Sequence, residues 1–161
     1  MKHLKIEFKW AIIFAVMQLV WMLLERLTGL HSEHIDKHPI FTNFVAIPAI
    51  AIYVFALLDK RKNFYQGVMT YKQGFVAGFF MTLFVTAFSI ATQYITSTII
   101  SPDYFPNMIE YAVSEGKMTK EAAESAFNLK SYLIQAPIGA FVMGLLTSAI
   151  VAIFTRKKSA N

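Results

Sequence analysis

The chain has 161 residues, 56 % hydrophobic and 16 % charged, with a mean hydropathy of +0.48. That is too apolar for an ordinary soluble domain, and four long apolar runs take up more than half of it, which leaves one small polytopic domain rather than two soluble ones. The formal charge of +5 does not point to nucleic acid, because the basic residues stand in short blocks beside the apolar runs; the absence of cysteine excludes disulfides, thiolate nucleophiles and thiolate metal sites.

In chain order, residues 1–9 are a short basic lead carrying Lys2, Lys5 and Lys9. The apolar run that follows resembles a signal peptide, but it is long and ends in Glu25-Arg26-Leu27 instead of a small-residue cleavage site, so it reads as a retained first span, about 9–30. Trp10 and Trp21 stand near its ends, where amphipathic rings favour the interface. Ala11, Ala15, Gln18, Met22 and Glu25 share one face, expected to look inward, with Gln18 making an interhelical hydrogen bond. The loop HSEHIDKH (31–38) leads to Pro39 and a second span over 40–58, with Pro48 inside it predicting a kink near Phe44. Asp59-Lys60-Arg61-Lys62 is expected to end that span abruptly.

Thr70-Tyr71-Lys72-Gln73 reads as a capping box opening the third span, about 72–101. Residues 73–101 hold no Lys, Arg, Asp or Glu and make a helix on the order of 43 Å long, which exceeds a bilayer core of ~30 Å and predicts tilt or projection. Gly74, Gly78, Thr82, Thr86, Ser89, Gln93 and Thr96 fall on one face of it, opposite Phe, Leu, Ile and Met. Small and hydroxyl-bearing residues let a second helix approach in lipid, so this face reads as a packing seam, with the lining of a substrate path as the functional alternative. Residues 103–131 form a helical loop: Pro106 suits a first turn, Gly116 a stop, and Thr119 caps a second helix that can run on into the fourth span, about 132–155, kinked at Pro137. Ala136, Ala140, Gly144, Ser148 and Ala152 repeat every four residues there and are the natural partners of the Gly74/Gly78/Thr82 face.

The expected architecture is therefore all-α, a polytopic bundle of four transmembrane helices with a short helical loop between spans three and four. Of the fifteen Lys and Arg, ten lie at the N-terminus, the middle loop and the C-terminus. The positive-inside rule then puts both termini in the cytoplasm and the helical loop outside.

Tyr71-x-x-Gly74-Phe75-x-x-Gly78, the Ser/Thr-rich span, Ser101-Pro102-Asp103-Tyr104 and the acidic helical loop together resemble a family of small four-span bacterial membrane proteins, the domain-of-unknown-function family 4199. The resemblance covers residues 9 to 158. It implies the inner membrane and brings no assigned activity or catalytic residue, so no role is transferred to any residue here.

Two constellations carry chemistry. His31, His34 and His38, with Glu33 and Asp36, would share a helical face at spacings of three and four, and imidazole with carboxylate suits Zn or Ni; a polar, solvated loop is the alternative. Glu25, Arg26, Gln93 and Gln135 all lie toward the outer ends of their spans, so Glu25 is expected to point inward, within reach of Gln93, Gln135 or Arg26. This is either a structural network or an outward-opening proton or small-molecule site. The sequence shows no nucleophile with a base and orienter, no phosphate-binding loop and no H-E-x-x-H motif. No cofactor is expected. The readings that follow are a non-enzymatic membrane protein that assembles with itself or another membrane protein, a small oligomeric transporter or channel, and, third, a membrane metalloenzyme.

Overall fold

The computed structural model describes residues 2–157, so Lys158 and Asn161 lie outside the described residues. The described chain is helical, and four stretches are long and apolar enough to cross a membrane: Lys5–Leu27, His38–Asn63, Tyr71–Ile100 and Leu129–Thr155. Large apolar side chains stay exposed on all four, among them Val16, Ile47, Leu83 and Ile150. Lipid, not water, is the solvent in which such outer faces carry no penalty.

Helix α1 (Lys5–Leu27) borders α3 (Ala46–Asn63) and α4 (Tyr71–Ile95), and α7 (Leu129–Thr155) borders the same two from the other side. The most extensive contact joins α4 to α7. It is the two small-residue stripes, meshed antiparallel: Gly74 meets Ala152, Gly78 meets Ser148, and Gly144 meets Thr82. A Cβ added to Gly144 would stand 2.6 Å from Thr82 Cγ2 and 2.8 Å from Tyr53 Oη, so only glycine lets the helices come this close. The hydroxyls that this approach buries satisfy one another. Tyr53 Oη and Thr82 Oγ1 are 2.9 Å apart, Thr82 Oγ1 and Ser148 Oγ 3.3 Å, and Ser148 Oγ donates to the Gly144 carbonyl at 2.7 Å. The same register sets Thr86 opposite Ala140; both are half-buried, and Thr86 Oγ1 has no hydrogen-bond partner among the described residues.

The end of the bundle that holds the start of α1 and the end of α7 is tied by charges. Glu7 and Lys60 form a sealed ion pair at 2.7 Å, and the Lys60 ammonium also lies 3.9 Å from the Phe64 ring centre. Lys9 pairs with Asp59, which also accepts from Trp10 Nε1 at 2.7 Å. Arg61 donates to the Thr155 carbonyl at 2.8 Å, and Met69 and Lys157 exchange backbone hydrogen bonds. With Asp59, Lys60 and Arg61 all partnered, α3 does not stop at Leu58 but continues through the charged block to Asn63.

The Thr70/Gln73 capping box forms, and Thr119 caps α6 (Lys120–Ala126). Gly116, at φ +64°, follows the end of α5 (Tyr104–Ser114). One turn before Pro48, which offers no backbone donor to the Phe44 carbonyl, Thr42–Val45 tightens to a 3-10 turn between α2 (His38–Phe41) and α3. The helix begun at Thr119 does not run on into the fourth span. Asn128 breaks it: its Nδ2 donates to the Glu124 and Ser125 carbonyls, closing α6, while its Oδ1 accepts from Ser131 N and opens α7. The third span ends in a π turn, Thr96–Ile100, which leaves Ser97 and Ser101 buried.

Candidate functional site

At the end of the bundle remote from the termini, α1 closes on itself. Gly29 N–H and Leu30 N–H return to the carbonyls of Arg26 and Glu25, with Gly29 at φ +77°, a backbone state that favours glycine. Tight turns over 28–37 then fold the loop back beneath the helix end. His31 arrives under Glu25, and His38 follows at the start of α2. Both imidazoles aim Nε2 at one carboxylate oxygen: Glu25 Oε2 is 3.1 Å from His31 and 3.4 Å from His38. The other oxygen, Oε1, accepts from Trp21 Nε1. His31 Nδ1 lies 2.6 Å from Ser101 Oγ, at the end of the π turn, and its backbone carbonyl accepts from Asn107 Nδ2 at 2.9 Å. The Tyr104 ring packs against both imidazoles, with centroids 5.1 and 5.2 Å away. Burial pushes the Tyr104 phenol well above its ordinary range, and Tyr132 and the Glu25 carboxylate add to this. Glu25 and His31 are only 3 % and 5 % exposed, while His38 keeps one edge open.

This cluster takes Glu25 from one constellation read from the sequence and His31 and His38 from the other, and corrects both. Glu25 does point inward, but its partners are His31, His38 and Trp21. Arg26 and Gln135 are exposed, and Gln93 donates to Ser97 at 2.9 Å. Counting residues along each span matches depth and says nothing of which way round the helix a side chain faces. Among the loop residues, His34, Glu33 and Asp36 are exposed. The loop is a series of turns rather than a helix, so the three-and-four spacing does not gather the three histidines; Ile35 is buried in place of His34.

A cavity of about 490 Å³ lies deeper, between the N-terminal half of α3 and the other spans. Phe14, Val85 and Phe88 give it apolar walls, and Gln18, Asn43 and Gln93 also line it. Gln18 was expected to bond across helices; it lines this space. Among the described residues, no charged side chain lines the cavity.

Trp21, Ser101 and Tyr104 are site residues that sequence reasoning missed. Trp21 carried a signal, since it sits one helical turn before Glu25; the other two come from distant parts of the chain.

A bundle of four bilayer-length helices with a polar cluster at one end defines a polytopic helical membrane protein. The family model described as "Protein of unknown function (DUF4199)" matches residues 9–157, and the chain belongs to that family. No curated protein and no solved structure matches it.

Proposed function

We propose that this chain is a non-enzymatic integral protein of the bacterial inner membrane, with both termini cytoplasmic, that holds a neutral amphiphilic molecule within its bundle. The cavity carries this reading. Its volume of about 490 Å³ falls in the range of small-molecule sites. Its walls are apolar with a few amide and hydroxyl groups, and uncharged groups at membrane depth suit a ligand with an apolar body and a hydrogen-bonding head. Transport is one use of such a site and storage or sensing another. The orientation rests on the ten Lys and Arg grouped with the termini and the middle loop.

The second reading is assembly with another copy or a different membrane protein. The stripes that first suggested it are spent within the chain, on the α4/α7 seam. What favours it now is Gln135, an amide exposed on α7 and outside the lining of the cavity. In lipid an exposed amide suits a helix contact.

Native mass spectrometry from mild detergent separates the two. The expected result is one bound neutral molecule per chain, lost in Ala49→Phe, which fills the cavity. An empty chain that self-associates, with association lost in Gln135→Leu, would replace the first reading by the second.

A further inference from the structure

We propose that Glu25, His31 and His38 form a binding site for a divalent transition cation of the Zn²⁺ class. The geometry carries it. One ligand-type atom from each residue lies within 4.8 Å of the other two. Zinc held tetrahedrally by nitrogen and oxygen at about 2.0–2.1 Å sets its ligand atoms roughly 3.3 Å apart. The two glutamate–histidine edges measure 3.1 and 3.4 Å, so they already have that spacing. The third edge, between the two imidazoles, lies within 4.8 Å, and His38, whose side chain is the least buried of the three, is the ring with room to shorten it.

The surroundings are those of a metal centre. A ligating histidine needs its other nitrogen held by an outer partner, which fixes the tautomer and the ring plane. Ser101 Oγ stands at His31 Nδ1 for this, Trp21 Nε1 fixes the second carboxylate oxygen, and Tyr104 wedges both rings. Without an ion, His31 Nε2–H donates to Glu25 and Ser101 donates to His31 Nδ1, while His38 Nε2 lies 3.4 Å from the same carboxylate oxygen. With an ion, Nε2 offers its lone pair, the ring proton moves to Nδ1, and the serine hydroxyl becomes the acceptor; no proton is lost from His31. Charge argues the same way. The Glu25 carboxylate is sealed from solvent, and among the described residues no lysine or arginine pairs with it. A buried carboxylate calls for positive charge, and a dication beside two neutral imidazoles supplies it. Two nitrogens and one oxygen without thiolate select a borderline cation over calcium or magnesium, and three protein ligands leave a fourth position open on the His38 side. None of the three residues lines the bundle cavity, so the site does not rest on the ligand reading above.

The test uses the full chain, purified in mild detergent without a histidine tag and stripped of metal, titrated with Co²⁺ alone and then with Zn²⁺. The expected result is one Co²⁺ per chain with the visible bands of four- or five-coordinate cobalt, displaced by Zn²⁺. Glu25→Gln and His38→Ala should each weaken binding by at least about 10-fold. His34→Ala, on the same loop but outside the cluster, should leave it unchanged. If Glu25→Gln fails to fold, His38→Ala decides, because that side chain is partly exposed and replaceable. No saturable uptake at one equivalent overturns the proposal. So does weakening by His34→Ala equal to that by His38→Ala, which would mean loose coordination by surface histidines.

Discussion

Gly78 lies so close to Ser148 that a Cβ on the glycine would stand 2.6 Å from both the serine Cβ and its hydroxyl oxygen. The neighbour is a short side chain on a packed helix, with its hydroxyl already committed to the Gly144 carbonyl, and cannot swing aside. Gly78→Leu and Gly144→Leu are therefore expected to destabilise the bundle by ~1–3 kcal/mol through overpacking. Ile150→Leu, on an exposed face of α7, should change little. Thermal melts in one detergent compare the three. Equal shifts would show that stability does not reside in the α4/α7 contact.

The Glu7–Lys60 pair is nearly sealed from solvent, so removing one partner strands a charge. Glu7→Leu or Lys60→Met alone should cost about 3–5 kcal/mol, while the double variant should recover most of that loss. A double variant as unstable as the sum of the singles would mean that the two side chains act separately.

Those two residues also show where the sequence stopped being legible. The four spans, the capping box, the Thr119 cap and the partnership of the small-residue stripes follow from apolar length, local hydrogen-bond chemistry and a period near four, all readable along one helix. Glu7 was hidden in a lead that reads as a topology signal, yet it lies one turn before Ala11 on the same inward face. Lys60 likewise follows Ala56 and Leu57, both buried. Continuing each inward face by one turn would have found the pair. The histidine cluster could not be found that way. It depends on Gly29 reversing the chain and on Ser101, just after the third span, and Tyr104, at the start of α5, arriving from far along the sequence, and such long-range placement leaves no local period. The inward aim of Glu25 was legible, and so was Trp21 one turn before it; the two histidines as its partners were not.

Reporter fusions at Asn63 and Asn161 should read cytoplasmic, and fusions at Lys37 and Lys117 should read outside. The two loops on the Glu25 side are the ones poor in lysine and arginine, which is the basis of the assignment. A cytoplasmic reading at Lys117 would overturn it.

Tyr104 offers a pH test. Its phenol is held above the ordinary value by burial first, then by Tyr132 and Glu25. The stability it contributes is full below the unfolded value of about 10 and is lost as pH climbs past it toward the folded value, because the unfolded chain then releases the proton first. Melting temperature should fall above pH of about 10, and Tyr104→Phe should flatten that fall. An unchanged alkaline slope in the variant would mean the loss comes from other groups.

Glu25 presents two accepting oxygens, one to Trp21 and one to both histidines, and an amide offers only one. In Glu25→Gln the amide must therefore choose. Indole N–H is a donor only, whereas an imidazole can exchange tautomers, so the amide oxygen should keep Trp21 and the NH₂ group should face the rings. His31 can then accept at Nε2 while its Nδ1–H donates to Ser101 Oγ. Metal-free Glu25→Gln is expected to fold with a loss of about 0.5–1.5 kcal/mol, one hydrogen-bond exchange. Glu25→Ala leaves the indole and both imidazoles without their acceptor and should cost more, about 1–3 kcal/mol for each group stranded away from water. In a Trp10→Phe background the emission reports Trp21 alone. It should stay near wild type in the glutamine variant and shift in the alanine variant. Equal melting losses and equal emission shifts in the two variants would mean that this carboxylate does not organise the histidines and the indole around it.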